Sequence, residues 1–198
     1  MIRIVLATVA TLIICVALVA WPVSPSKPIV TPVSLTPASV GAPATTTPFL
    51  AKFANHLLAL NSDGDPKAYD DSKLAGVKYV AFYYSASWCP PCRAFTPDLV
   101  SFYNGFKPSH PNFELIFVNA DRSDGDMINY MKGDSMPWPA VWYADIQNPD
   151  LNARQFCGPG IPCLVLVDSN GNVLSDSFRN GNYVGPQQVV DDISSMVK

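Results

Sequence analysis

Hydrophobic positions follow three rhythms along the chain. From Ile4 to Ala20 no side chain is charged. This run of 17 residues would make about 25 Å of helix at ~1.5 Å per residue. From Trp21 to Pro48 seven prolines interrupt every apolar stretch, which blocks helix and central strand alike. From Phe49 onward, short continuous apolar runs alternate with amphipathic ones. Phe53, Leu57, Leu58 and Leu60 predict a short amphipathic helix, and Ser62–Pro66 predicts a turn. Val77–Ser85, Phe113–Ala120 and Cys163–Asp168 read as buried strands. Phe95, Leu99, Phe102, Tyr103 and Phe106 share one helical face after Pro90, with Pro97 inside the run expected to kink it. Asp124–Met131 and Leu151–Phe156 predict further short helices. Asn170–Gly171 predicts a hairpin turn into Val173–Leu174. Pro186 opens a last helix carrying Val189, Val190, Ile193 and Val197. The resulting order predicts an α/β sandwich, with a central mixed sheet flanked by helices.

This rhythm divides the chain into a signal peptide or signal-anchor helix (1–20), a Pro-rich linker (21–48) and one folded domain (49–198). Arg3 before the apolar run predicts a cytoplasmic N-terminus and export of the remainder. The product would be periplasmic or otherwise extracytoplasmic, secreted if the leader is cut and membrane-anchored through residues 4–20 if it is not. The linker would be extended, reaching at most ~87 Å as polyproline II.

Composition excludes several classes. Of 198 residues, 48% are hydrophobic and 15% charged, with a net charge of −3. All 16 acidic residues fall in 49–198 against 11 basic ones, so the domain is acidic and no nucleic-acid partner is expected. Five cysteines and two histidines are too few for a disulfide-dense scaffold.

The chemistry lies in Trp88-Cys89-Pro90-Pro91-Cys92-Arg93. A Cys-x-x-Cys pair is either half of a zinc site or a redox couple. Zinc needs about four ligands, and no second such pair is present. His56 and His110 lack ligand spacing and are expected on the surface. No metal or cofactor is therefore expected. The redox reading has context: the pair follows a buried strand and opens a helix, where unpaired N–H groups and the helix dipole favour a thiolate. Cys89, at the entrance, is expected to be exposed and to attack a substrate disulfide. Cys92, one turn in, would be more buried and would resolve the mixed disulfide. Pro90 and Pro91 offer no N–H to the Cys89 sulfur, so its thiolate would rely on donors from Cys92 onward. Ile161-Pro162 precedes a buried strand. If that loop faces Cys89, the Ile161 backbone can pair with an extended substrate like an added strand. Cys163 is expected as a buried strand residue or, less simply, a redox participant. A Cys157–Cys163 disulfide would have to span the stiff loop between them. Asp121 and Arg122 read as solvated loop charges.

The stretch from Phe82 to Arg93 (Phe-Tyr-Tyr-Ser-Ala-Ser-Trp-Cys-Pro-Pro-Cys-Arg) closely resembles the tryparedoxin and nucleoredoxin branch of thioredoxin-like proteins. Phe95-Thr96-Pro97, Phe102-Tyr103, Phe113–Val118, Met136-Pro137-Trp138-Pro139-Ala140 and Gly160-Ile161-Pro162 resemble the same branch in the same order. The resemblance covers about residues 70–180. It implies a thioredoxin-like fold, Cys89 as nucleophile, Cys92 as resolving thiol, a cis Pro162, and Trp88 and Trp138 bordering the active site. It also implies protein disulfides as substrates and an upstream dithiol as electron donor. Two positions depart from the pattern. Tyr83 stands where ordinary thioredoxins hold a buried acid, and Cys163 follows the proline where threonine is common. The expected activity is reduction or isomerisation of protein disulfides. The alternatives are net dithiol oxidation in the same compartment, or a non-catalytic module that holds a client or a metal.

Overall fold

The computed structural model describes residues 46–198. The leader and all but the last three residues of the linker lie outside the described residues. Among the described residues no helix is long and apolar enough to cross a membrane.

Helix α1 (Pro48–Ala51) leads into strands β1 (Leu57–Leu60) and β2 (Pro66–Ala68), followed by β3 (Tyr79–Ser85) and helix α2 (Pro90–Phe106). Next come β4 (Phe113–Asn119), α3 (Asp124–Gly133), β5 (Ala140–Val141), β6 (Cys163–Asp168) and β7 (Val173–Asp176). A small hairpin, β8 (Phe178–Arg179) and β9 (Asn182–Tyr183), precedes the final helix α4 (Pro186–Met196). The seven longer-range strands form one sheet in the order β2-β1-β5-β4-β3-β6-β7. β3 pairs parallel with β4 and antiparallel with β6, so the sheet is mixed about its central strand.

Alternation along β3, β4 and β6 divides the core into two layers. Ala81, Tyr83, Leu115, Phe117, Leu164 and Leu166 face α2, α3 and α4. Val80, Phe82, Tyr84, Ile116, Val118 and Val165 face α1 and the segment containing Ile146, Leu151 and Phe156. The central strands are buried on both faces, which is why they read as unbroken apolar runs. α2 continues through Pro97, which lies on its solvent-exposed side. The Arg93 carbonyl that loses its partner therefore belongs to an exposed residue. α3 starts at Ser123, whose Oγ accepts from the Asp126 N–H (3.1 Å) and donates to its carboxylate (2.7 Å). Gly185, at φ 89°, supplies the left-handed turn before Pro186 begins α4.

Two expected helices are corrected. Leu57–Leu60 is a strand, paired antiparallel with both β2 and β5. Asn55, at φ 65°, ends the preceding turn, and the alternation places Leu57 in one core layer and Leu58 in the other. Cross-strand pairing outweighs the modest helix propensity of leucine. Leu151–Phe156 is a series of turns, with Asn152 in the left-handed region at φ 46°.

Candidate active site

The parallel pair β3 and β4 ends at Ser85 and Asn119, and antiparallel β6 begins beside them at Cys163. Three connections therefore converge on one end of the sheet: 86–89, 120–123 and 157–162. Cys89 is the N-cap of α2, and its sulfur accepts from the Cys92 N–H at 3.3 Å. This donor is the first one available past the two prolines. Cys89 and Cys92 are joined as a disulfide with Cα atoms 5.2 Å apart.

The Ile161–Pro162 peptide is cis, the isomer that the resemblance implies. Cys89 Sγ lies 3.8 Å from the Ile161 carbonyl oxygen. Trp88, Cys89, Pro90, Pro91 and Ile161 line one open cleft of about 620 Å³ together with Ala120, Arg154, Cys157 and the Gly158-Pro159-Gly160 loop. Pro162 is buried behind Ile161. Trp88 is 59% exposed and donates from Nε1 to the Ala120 carbonyl (3.3 Å).

Several expectations are corrected here. Cys89 is only 3% exposed, because its disulfide packs beside Ala86 and Ile161; Cys92 is fully covered. Trp138 does not border the cleft. It is fully buried, edge-on to Tyr83 and Tyr103, where the large indole fills the core layer between β3 and α2. Asp121 is buried rather than solvated. Its Oδ1 accepts from both the backbone N–H and the hydroxyl of Ser87 (2.8 Å each), which fixes the loop ahead of Trp88. His56 is half-buried and pairs through Nδ1 with Asp145 (2.9 Å). His110 stacks on Phe106 with ring centroids 3.7 Å apart.

The position of the missing acid is filled by a neutral cluster. The Tyr83 hydroxyl lies 2.8 Å from Thr96 Oγ1, Tyr130 OH lies 2.6 Å from the same oxygen, and Ser85 Oγ lies 2.9 Å from Tyr130. Thr96 also donates to the Cys92 carbonyl (2.9 Å). A hydroxyl has one proton, so that donation makes both tyrosines donors to Thr96 and Ser85 the donor to Tyr130. The chain of protons ends on the Cys92 carbonyl and not on its sulfur. It clamps the first turn of α2 to β3 and α3. Burial holds the Tyr83 and Tyr130 hydroxyls above their ordinary pKa, so they stay neutral.

Among the described residues the other two cysteines, Cys157 and Cys163, are free. Cys163 is fully buried, and burial pushes its thiol up to about 12. Burial also raises the Cys157 thiol, partly offset by the Arg154 charge. Both are protonated at neutral pH and are weak competitors of Cys89 as nucleophiles. Arg154, with Nη2 bonded to the Asn119 carbonyl (3.0 Å), is the one charged side chain lining the cleft among the described residues. Sequence reading missed it because nothing near position 154 signals that its turn folds back over β4.

A strand-to-helix Cys-x-x-Cys disulfide facing a cis-proline loop, on a mixed sheet between helical layers, defines a thioredoxin-like dithiol–disulfide protein. Comparison with known proteins agrees. A family model described as thioredoxin-like matches residues 76–173. Nucleoredoxin of Homo sapiens is 39% identical over 132 residues, which is 67% of this chain and 29% of that protein. Nucleoredoxin of Danio rerio is 40% identical over 110 residues, 56% of this chain and 26% of that one. The chain thus spans less than a third of the length of these relatives. Among solved structures, thioredoxin from Wuchereria bancrofti is 35% identical with a TM-score of 0.53, covering 72% of this chain and 96% of the other. Tryparedoxin I from Leishmania major is 31% identical with a TM-score of 0.53, covering 74% and 94%. The chain belongs to the thioredoxin-like family, with nucleoredoxins among its relatives and tryparedoxins among its structural neighbours.

Proposed function

We propose that the chain reduces or isomerises disulfides of protein substrates, with Cys89 as the attacking sulfur and Cys92 as the resolving one. The observation that carries this reading is the placement of Cys89 at the helix N-terminus, 3.8 Å from the Ile161 carbonyl on the floor of an open cleft. In the reduced protein, the Cys89 thiolate is favoured by the Cys92 N–H and the positive end of α2. It attacks one sulfur of a substrate disulfide, forming a mixed disulfide and releasing the other substrate sulfur as a thiolate, which takes up a proton. Cys92 then loses its proton and attacks Cys89. This frees the second substrate thiol and leaves Cys89–Cys92 oxidised. A second dithiol, of an upstream donor, returns the pair to the reduced state by the same two exchanges in reverse. Trp88, Pro90, Pro91 and Ile161 form the surface that receives the substrate, with the buried Pro162 supporting Ile161 and the Ile161 backbone open to strand-like pairing.

Trapping tests the order of attack. Cys92→Ser should accumulate mixed disulfides with substrate proteins on non-reducing gels, and Cys89→Ser should accumulate none. Equal trapping by both variants overturns the assignment. Net oxidation is the competing direction, and a midpoint potential near −120 mV, typical of a strong oxidant, would favour it.

The proposal also places the domain outside the cytoplasm, held by or released from the Ile4–Ala20 segment. The charge-free run behind Arg3 supports this. Protease added outside intact cells or vesicles should digest the domain of the full-length chain. A domain protected while known external proteins are cut overturns the topology.

A further inference from the structure

The hairpin formed by β8 and β9 lies beside the redox cleft and plays no part in the exchange chemistry described above. Its two aromatic residues are fixed to the loop that carries Ile161. The Tyr183 hydroxyl donates to the carbonyl of Pro162 at 2.9 Å. The Phe178 ring lies directly over Gly158: a Cβ at that position would sit 2.2 Å from the ring. Only glycine admits this contact, so the Gly158-Pro159-Gly160 loop and the hairpin are shaped to each other. The Phe178 and Tyr183 rings pack with centroids 5.0 Å apart. Between them and Pro159, Gly160 and Ile161 is an apolar hollow of about 260 Å³ with no charged side chain in its wall. Tyr183 is nevertheless 51% exposed, and Val184 beside it is 45% exposed. The hollow shares Pro159, Gly160 and Ile161 with the redox cleft, so the two form one continuous surface.

We propose that this hollow is a side-chain subsite that selects polypeptide substrates carrying a large apolar or aromatic residue close to the reacting cysteine. This rests on the reading of the chain as an oxidoreductase of protein disulfides. A segment that pairs with the Ile161 backbone while presenting its sulfur to Cys89 sends alternate side chains to opposite faces. The hollow begins on the other side of Ile161, so a residue about two positions from the cysteine reaches Phe178 and Tyr183. An aromatic side chain there covers the exposed Tyr183 ring and the half-buried Phe178 ring and removes its own apolar area from water. A charged side chain would lose hydration against a wall that offers no counter-charge.

The test uses two disulfide-linked peptides, identical except that the residues two positions either side of the cysteine are Phe in one and Ser in the other. The wild-type protein should reduce the Phe peptide with kcat/KM about tenfold higher, the scale of a hydrophobic side chain in a pocket. Tyr183→Ser should bring the ratio of the two rates close to one. Tyr183→Phe, which keeps the ring, should retain the preference. Equal rates for the two peptides in the wild type, or an equal loss on both in Tyr183→Ser, overturns the subsite while the oxidoreductase reading stands. A wild-type protein inert toward both peptides overturns the oxidoreductase reading itself.

Discussion

At the end of the sheet away from the cleft, Glu114 is buried with its charge. Its carboxylate accepts from the hydroxyls of Tyr103 (2.6 Å) and Tyr69 (2.9 Å) and from the Leu115 N–H (2.9 Å), and Lys107 Nζ lies 3.3 Å away. At the cleft end, the polar group of comparable burial is the neutral quartet Tyr83, Thr96, Tyr130 and Ser85. The first cluster sets a carboxylate against a cation and three donors. The second contains no charge, and every hydroxyl proton in it is committed. The difference matters for the proposed exchange, in which a thiolate forms at the first turn of α2, the turn that the second cluster clamps through the Cys92 carbonyl. A fixed carboxylate there would oppose a second negative charge nearby, whereas neutral hydroxyls leave the helix dipole and the Cys92 N–H to set its stability.

The comparison is broken most severely at the charged end. Glu114→Ala leaves the Lys107 cation and two tyrosine hydroxyls without their common acceptor. It should cost about 3–5 kcal/mol in denaturant unfolding, the scale for breaking a buried ion pair. A loss below about 1 kcal/mol would place Glu114 in the class of surface pairs.

At the neutral end the expected cost is smaller. Thr96→Val removes the shared oxygen and strands the Cys92 carbonyl and two tyrosine donors, for about 1–3 kcal/mol. Thr96→Ser should recover most of it. A valine variant as stable as wild type would show that the quartet is not a clamp.

The two clusters converge in base. Burial raises Tyr69 and Tyr103, with the Glu114 charge adding to it, and burial raises Tyr83 as well. Burial also raises Cys163 to about 12. In each case the folded pKa exceeds the unfolded one, so the unfolded chain releases its proton first. The stability these groups contribute is therefore complete below about pH 8.5, where Cys163 begins to ionise in the unfolded chain, and declines as pH rises. The slope should be up to about 1.4 kcal/mol per pH unit for each group that has passed its unfolded pKa. Unfolding midpoints measured from pH 8 to 10.5 check this, and a flat profile contradicts it.

Much of this was legible in the sequence. β3, β4 and β6 are buried on both faces, so their apolar runs are continuous, and α2 and α4 carry one apolar face at helical spacing. The Cys89–Cys92 pair is local, and its strand-to-helix context travels with it. What sequence reading missed depends on contacts between distant segments. β1 became a strand through pairing with β2 and with the two-residue β5. Asp121 became buried because Ser87 folds onto it from the preceding connection. Trp138 resembles a site residue in its motif, yet its size is used to fill the space between Tyr83 and Tyr103. The same limit hid Arg154, Phe178 and Tyr183, which reach the cleft region only after the chain has folded back over β4 and past β6.

The hydrogen bonds of Thr47 and Asn112 carry a practical consequence. Thr47 donates to the carbonyl of Ser169, in the turn after β6, and Asn112, just before β4, donates to the carbonyl of Lys198 (3.0 Å). Both contacts lie at the pole where β3 and β4 start and β6 ends, opposite the pole that holds Cys89. Either end of the folded domain can therefore serve as a handle, for a bead, a sensor surface or a fused reporter, with the reactive face turned away from the support.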